Sequence, residues 1–185
     1  MKDTRDKIID GAVFCLNVNE KASIDEIASY LGINRRTIHR YFTDRDNLLE
    51  CCLQKMMLKC NKAMTDAYES SAYPLKQVEA MFYAALSIGT EYSFVKKIFN
   101  RSNYGQVLKN ESLDYESVKQ KWFRLIIVLQ DSGVINRLLP ISWIYNLFGG
   151  MIDIAIQAQA SGDVAINEIK NLSWKSFQGS IGIIN

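Results

Sequence analysis

The residues of this chain best suited to binding a charged ligand are clustered in one short stretch, Arg35-Arg36-Thr37-Ile38-His39-Arg40. Residues 35–45 contain four arginines and one acid, Asp44, which gives the segment a charge of +3, whereas the whole chain carries only +2. A guanidinium group donates hydrogen bonds in a planar fork that matches phosphate oxygens and the edge of guanine. A short helix that exposes these side chains is therefore suited to the groove of a polyanion.

The elements that must position these arginines can be read from the flanking sequence. Ser23 and Glu26 form the pattern of a capping box, which predicts a helix from about Ile24. Gly32 follows the apolar face of that helix, where a left-handed residue commonly ends a helix, and Asn34 can cap a second helix. Two short helices joined by a glycine turn are the layout of a DNA-reading helix-turn-helix. The apolar positions that brace it are Ile24, Ile27, Ala28, Leu31, Ile33, Ile38 and Phe42.

The rest of the chain also has helical periodicity, which predicts an all-α fold. A first helix is expected over residues 4–18, with Ile8, Ala12, Phe14, Cys15 and Leu16 facing inward. A long helix, capped by Thr43 or Asp44, should continue to about Glu69. Further helices are predicted near residues 74–89, 93–101, 113–130, 140–160 and 164–181, with a loop around 103–105. We assign residues 1–50 to a DNA-binding domain and residues 51–185 to a C-terminal bundle. No linker separates the two, so the boundary is placed inside the long helix that connects them.

Composition favours an ordinary globular protein, with 48% hydrophobic and 23% charged residues. The charged stretch from Lys2 to Lys7 has no apolar signal-peptide core behind it, and no apolar run is long enough to cross a bilayer. We therefore expect a cytoplasmic protein without membrane contact. The four cysteines show neither metal-ligand spacing nor a disulfide framework, so no metal or other cofactor is predicted. Cys15, Cys51, Cys52 and Cys60 are best explained as small buried side chains, with a redox switch at the last three as the alternative.

Residues 24–49 also resemble the tetracycline-repressor (TetR) family of bacterial transcriptional regulators. The resemblance rests on Ile27-Ala28, the turn Leu31-Gly32-Ile33-Asn34, Thr37-Ile38, Tyr41-Phe42 and Arg45 followed by Leu48-Leu49. It implies an N-terminal three-helix unit that binds double-stranded DNA and C-terminal helices that dimerise and hold a small-molecule effector. This chain has His39 where the family often has tyrosine, so base preference cannot be transferred from relatives. The residues predicted to contact DNA are Ser23, Asn34, Arg35, Arg36, Thr37, His39, Arg40, Tyr41 and Arg45.

Aromatic and methionine side chains in the C-terminal half are candidates for an effector pocket, although composition cannot distinguish a filled core from a hollow one. The case for a cavity comes mainly from the family resemblance. The candidate lining is Met81, Phe82, Phe94, Trp122, Phe123, Tyr145, Phe148 and Met151.

The last two predicted helices carry more apolar surface than one internal face requires, and Gly149 and Gly150 permit close helix approach. An isologous four-helix interface in a homodimer would use that surface. The predicted interface residues are Trp143, Leu147, Gly150, Ile154, Gln157, Trp174, Phe177 and Ile181.

The sequence thus predicts a dimeric, DNA-binding transcriptional regulator, most simply a repressor of a pseudo-palindromic operator that responds to a small molecule. One alternative is a protein-interaction module whose helix-turn-helix binds a partner instead of DNA. Another is a helical-bundle enzyme, which is disfavoured by a single histidine and by the lack of a glycine-rich phosphate loop or paired metal ligands. We expect no enzymatic activity.

Overall fold

The structure is a computed structural model that describes residues 3–99 and 115–183. Within these ranges every regular element is an α-helix, so the predicted all-α fold is confirmed. The helices are α1 Thr4–Val18, α2 Ile24–Leu31, α3 Arg35–His39, α4 Arg45–Glu69, α5 Pro74–Ser87, α6 Gly89–Phe99, α7 Tyr115–Asp131, α8 Ile141–Ser161 and α9 Ile166–Ser180.

The predicted bounds of the long helices agree with the structure. The first helix ends at Val18 and α4 continues to Glu69 without a break. Asp44 caps α4, because its Oδ1 accepts a hydrogen bond from the Asn47 amide at 2.8 Å. The helix expected near residues 93–101 begins earlier, at Gly89. The predicted loop at 103–105 and the predicted start of the next helix at 113 lie outside the described residues.

The chain divides into two compact units, and one division between them falls inside α4, between Lys59 and Cys60. Among the described residues, unit 1 comprises 3–59 with 90–99, and unit 2 comprises 60–89 with 115–183. Residues 51–59 belong to unit 1 because α4 packs its Cys52, Leu53 and Met56 there and Lys55 forms ion pairs with α1.

The beginning of α6 joins unit 1 through polar contacts with α1. Asn17 Nδ2 donates to the Thr90 carbonyl at 2.9 Å, and Lys97 Nζ donates to the Asn17 carbonyl at 2.7 Å. Lys59 and Glu91 also form an ion pair. These contacts link residues more than thirty positions apart in sequence, which is why local periodicity could not assign 90–99 to the first unit.

Unit 1 buries the apolar faces of α1, α2, α3 and α4 around Ile9, Ile27, Ile38 and Phe42. One predicted core residue of α1 is not in this core. Phe14 is 47% exposed and stacks on Tyr30, with ring centroids 4.8 Å apart and planes at 14°. The prediction that Phe14 faces inward is therefore wrong, because the buried face of α1 is centred on Ile8, Ile9, Ala12, Val13 and Leu16.

Unit 2 is organised around a cluster of aromatic rings from α5, α7, α8 and α9. Phe82 lies at its centre, within 5.3–5.4 Å of the rings of Phe148, Trp174 and Phe177. Trp122 extends the cluster through an edge contact with Phe148 at 5.4 Å. Aromatic pairs in such geometries contribute beyond the area that they bury. None of the described helices is long and apolar enough to span a membrane.

Candidate nucleic-acid interface

The helix α2 is fixed at both ends by short-range hydrogen bonds. The Ser23 hydroxyl accepts from the Glu26 amide at 3.2 Å, and the Glu26 carboxylate accepts from the Ser23 amide at 2.6 Å. The predicted capping box is therefore confirmed. Hydrogen bonds from the Ser23 backbone and side chain lower the pKa of Glu26 below its ordinary value. At the other end Gly32 adopts the left-handed conformation with φ of 64°, as the sequence predicts.

The second helix, α3, is short and is anchored from below and from its N-terminus. Asn34 Oδ1 accepts a hydrogen bond from the Arg36 amide at 2.8 Å, so the predicted N-cap is confirmed. Ile38 and Phe42 are buried beneath the helix. One face of α3 is therefore fixed in the core of unit 1, and its opposite face is open to solvent.

Two of the predicted DNA-contact residues on that open face, Arg35 and His39, are hydrogen-bonded to each other. Arg35 Nη1 forms an ion pair with Asp25 Oδ2 at 2.9 Å, and Arg35 Nε donates to His39 Nε2 at 3.1 Å. Because Nε2 of His39 already contacts Arg35, Nδ1 is the ring nitrogen that is left to contact a ligand. Sequence reasoning missed Asp25, since its contact with Arg35 depends on how α2 and α3 pack.

The other two arginines, Arg36 in α3 and Arg40 directly after it, differ in their contacts with the rest of the chain. Arg36 is exposed, and its guanidinium makes no hydrogen bond or ion pair with another part of the chain that the structure describes. Arg40 lies on its neighbour Tyr41, with Nη2 donating to Tyr41 Oη at 3.1 Å and the guanidinium carbon 5.0 Å from the ring centroid. Thr37 is half-buried on the same helix. Arg36 is thus the cation of α3 that can contact a ligand without first breaking a described contact.

Arg45 forms hydrogen bonds within unit 1 that the sequence did not predict. Its Nε donates to the Ala22 carbonyl at 3.0 Å and its Nη2 donates to the Glu20 carbonyl at 2.7 Å. The side chain therefore ties the start of α4 to the loop before α2. Only the guanidinium N–H groups that do not bind these carbonyls remain available to contact a phosphate.

The candidate effector residues fall into buried and half-buried groups, and Phe94 lies in unit 1 rather than with the others. Met81, Phe82, Trp122 and Phe148 are buried in unit 2, where the rings of the last three pack in the aromatic cluster. The half-buried members are Phe123, Tyr145 and Met151.

Trp122 contributes a buried polar group to this cluster. It is 2% exposed, and its indole Nε1–H has no hydrogen-bond partner among residues 3–99 and 115–183. Tyr145 and Phe123 contact the same ring at 5.5 and 5.8 Å. Because a buried donor without an acceptor is costly, this end of the cluster favours an added acceptor atom.

The predicted dimer residues also fall into two groups. On α8, Trp143, Ile154 and Gln157 are exposed and Leu147 and Gly150 are half-buried, which forms a stripe along one side of the helix. On α9 the prediction requires correction. Trp174, Phe177 and Ile181 are 5% exposed or less, because they pack in the core of unit 2, whereas Leu172 is exposed on α9.

The cysteines are free thiols, two buried and two half-buried. Burial raises the pKa of Cys52 to about 12, and it also raises the pKa of Cys15. Burial thus disfavours the reactive thiolate form of both side chains. Within residues 3–99 and 115–183 no group of three or more histidine, cysteine or acidic side chains could hold a metal ion.

An all-α fold whose helix-turn-helix exposes a row of cations defines a helix-turn-helix regulator as the class of protein. Residues 19–52 match the family described as bacterial regulatory proteins, tetR family. This match covers α2, α3 and the start of α4, and the family it describes is one of regulatory proteins.

Individual regulators are also similar to this chain. The HTH-type transcriptional repressor LfrR of Mycolicibacterium smegmatis is 28% identical over 92 residues, which is 50% of this chain and 49% of LfrR. The chain thus spans about half the length of the curated relative that it matches. The ketosteroid transcriptional regulator KstR2 of Mycobacterium tuberculosis has the same fold, with a TM-score of 0.71 at 12% identity over 98% of this chain and 96% of KstR2. LfrR from Mycobacterium smegmatis in complex with proflavine has a TM-score of 0.58 at 22% identity over 98% of both chains.

Proposed function

We propose that this protein is a DNA-binding transcriptional regulator, and specifically a repressor that binds a pseudo-palindromic operator as a homodimer. The observation that carries the proposal is the exposed Arg36 on α3, a helix held in place by the Asn34 cap and by buried Ile38 and Phe42. A braced helix with outward cations can enter the major groove without rearranging its own core. The family match over residues 19–52 supports this interpretation.

The neighbouring side chains would contribute in different ways. Arg35 and His39 would contact bases or phosphates after exchanging part of their present contacts, and Arg40 and Tyr41 would approach a phosphate together. Thr37 lies on the same helix and can offer a hydroxyl and a methyl group to a base edge. Arg36 would bind without that exchange, so we expect it to contribute more than Arg35.

A homodimer would present two copies of α3. Recognition helices related by a two-fold axis read half-sites about one helical turn apart, which is the reason for a pseudo-palindromic operator. The exposed stripe of Trp143, Leu147, Gly150, Ile154 and Gln157 on α8 supplies the proposed isologous interface, together with Leu172 on α9. Trp143 and Ile154 are each 56% exposed and lie on the same stripe, and contiguous exposed apolar surface of this kind marks interaction sites.

We further propose that the aromatic end of unit 2 around Trp122, Phe123 and Tyr145 holds a small-molecule effector. The unpartnered indole N–H of Trp122 would donate to one acceptor atom of that molecule. The solved LfrR complex contains proflavine, and KstR2 is described as a ketosteroid transcriptional regulator. Met81, Phe82, Phe148 and Met151 would form the wall behind it.

The effector would act by shifting a population rather than by covering α3. It would favour a dimer in which the two copies of α3 have a separation that does not fit successive major grooves. The helix α4 begins in unit 1 and ends in unit 2, so it is the continuous element through which such a change would pass.

The first test is selection of binding sites from a random duplex library with the purified protein. We expect an inverted repeat, bound with an affinity that falls steeply as salt increases, because phosphate contacts release counterions. Arg36→Ala should weaken this binding by roughly 5–30-fold, whereas Arg124→Ala, which removes an exposed arginine of unit 2, should retain it. Absence of any enriched site, with weak and salt-insensitive binding, would favour the protein-interaction module instead.

A further inference from the structure

Unit 1 contains a cleft that the proposed DNA contacts do not use. Its volume is about 590 Å³, and its walls come from α1, α2, α4 and the first turn of α6. We call it the α1–α2 cleft. Pockets that bind small organic molecules have volumes of about 300–1,000 Å³, so its size suits such a ligand.

One wall of the α1–α2 cleft is aromatic. Phe14 and Tyr30 stack with nearly parallel rings, yet they are 47% and 54% exposed. Two large rings held against each other with about half of their surface in water form a rigid, flat, apolar face. Such a face loses little conformational entropy when another ring packs against it.

The floor of the cleft is closely packed and therefore fixed in shape. Gly11 allows α1 to approach α2, since a Cβ at this position would lie 2.5 Å from Leu31 Cδ2. Met56 from α4 is buried beneath. The cleft is thus a feature of the packed helices rather than of a loose surface loop.

The charged side chains around the cleft select the sign of the ligand. The two lining acids are already paired, Asp10 with Lys55 at 3.0 Å and Glu91 with Lys59. Lys7 is exposed and forms no hydrogen bond or ion pair through its ammonium group with another residue in the described ranges. Lys7 is therefore the lining cation that is available to a ligand, and it favours a ligand with a negatively charged group.

We propose that the α1–α2 cleft binds a small planar aromatic carboxylate, with its ring against the Phe14–Tyr30 pair and its carboxylate on Lys7. The site is separate from the proposed effector site of unit 2. Its occupancy does not require that the protein bind DNA, so the two proposals can fail independently.

The test uses the whole 185-residue chain without DNA, and trans-cinnamate is the probe. Binding is measured by calorimetric titration, and the site is located by amide chemical shifts. We expect saturable binding with shifts at Gly11, Leu31 and Thr90, and weaker binding of cinnamamide, which has the same ring without the charge.

Two variants and two matched controls assign the contacts. Tyr30→Ala should weaken cinnamate binding by about tenfold or more, because stacked rings contribute substantially to affinity. Lys7→Gln leaves the apolar packing intact and should bring the affinities for cinnamate and cinnamamide close together. Tyr73→Ala and Lys175→Gln remove an exposed ring and an exposed cation of unit 2 and should bind as the unmodified protein does.

Three results would overturn the proposal. The first is no saturable binding of cinnamate, and the second is chemical-shift changes confined to residues of unit 2. The third is an undiminished preference for cinnamate over cinnamamide in Lys7→Gln. Because Lys7 is exposed at the surface of α1, the Lys7→Gln result is interpretable even if Tyr30→Ala proves poorly folded.

Discussion

In the helix-turn-helix, the groups that set the structure lie two or three residues from what they bind, whereas in the closing helices α8 and α9 the decisive contacts join distant residues. Ser23 bonds to Glu26 and Asn34 bonds to Arg36. By contrast, Phe148 of α8 packs on Phe177 of α9 at 5.6 Å. A locally specified segment keeps its shape while exposing a charged face. In a segment specified by packing, the tertiary structure decides which apolar side chains are buried and which are exposed.

The largest effect we expect comes from removing the centre of the aromatic cluster in unit 2. Phe82→Ala should lower the free energy of unfolding by about 3–5 kcal/mol, because it removes a fully buried ring and leaves a cavity. Chemical denaturation at fixed protein concentration measures the change. Tyr73→Ala is the matched control, since its ring is 75% exposed, and it should change stability little. Equal losses in the two variants would show that the cluster does not stabilise unit 2.

The next effect concerns the surface of the same helices. Trp143→Ala should weaken the proposed dimer by about 2 kcal/mol, or roughly 30-fold in dissociation constant, because a buried tryptophan is a common centre of an interface. Sedimentation at several concentrations measures this constant. Leu138→Ala, at a position 89% exposed and off the α8 stripe, should leave it unchanged. An unchanged constant in Trp143→Ala would place the interface elsewhere.

Within the helix-turn-helix region, we expect Arg36 and Arg45 to separate DNA affinity from stability. Arg36→Ala should reduce operator affinity by about 1–2 kcal/mol, which is roughly 5–30-fold, and hardly change stability. Arg45→Ala should lower the free energy of unfolding by about 1–2 kcal/mol, since it loses two charge-assisted hydrogen bonds that are partly exposed to water. Fluorescence anisotropy and denaturation on both variants measure the two quantities. Comparable losses of affinity at matched folded fraction would assign Arg45 to the DNA contact.

The smallest effect is electrostatic and concerns the cap of α2. Because the folded protein lowers the pKa of Glu26, the carboxylate stabilises the fold above its unfolded pKa and loses this contribution as pH falls through the folded value. Ser23→Ala removes the Ser23 side-chain hydrogen bond, the second of the two that lower the pKa of Glu26, and should raise that pKa toward its ordinary value. A carboxyl titration by NMR measures it. An unaltered Glu26 pKa in Ser23→Ala would leave the Ser23 backbone amide as the sole cause of the shift.

Prediction from sequence succeeded best where periodicity and caps agree. The bounds of α1 and α4 and the capping residues Ser23, Gly32 and Asn34 followed from residue types and short spacings. It failed for Phe14, since several apolar residues of α1 compete for the inward direction and only packing against α2 and α4 decides among them. It failed on α9 for a related reason, because Trp174 and Phe177 fit either a core or an interface until Phe82 and Phe148 are placed beside them.

The sequence alone determined the helix-turn-helix, because capping hydrogen bonds and helical periodicity act over a few residues and need no distant partner. Its cationic face was equally readable, since the arginines follow one another on a short helix. Only the tertiary structure decided which arginine is uncommitted, because Asp25, Tyr41 and the Glu20 and Ala22 carbonyls bind the others after the helices pack. It likewise decided that Phe14 and Tyr30 form an exposed pair, since burial depends on which faces meet and not on residue type.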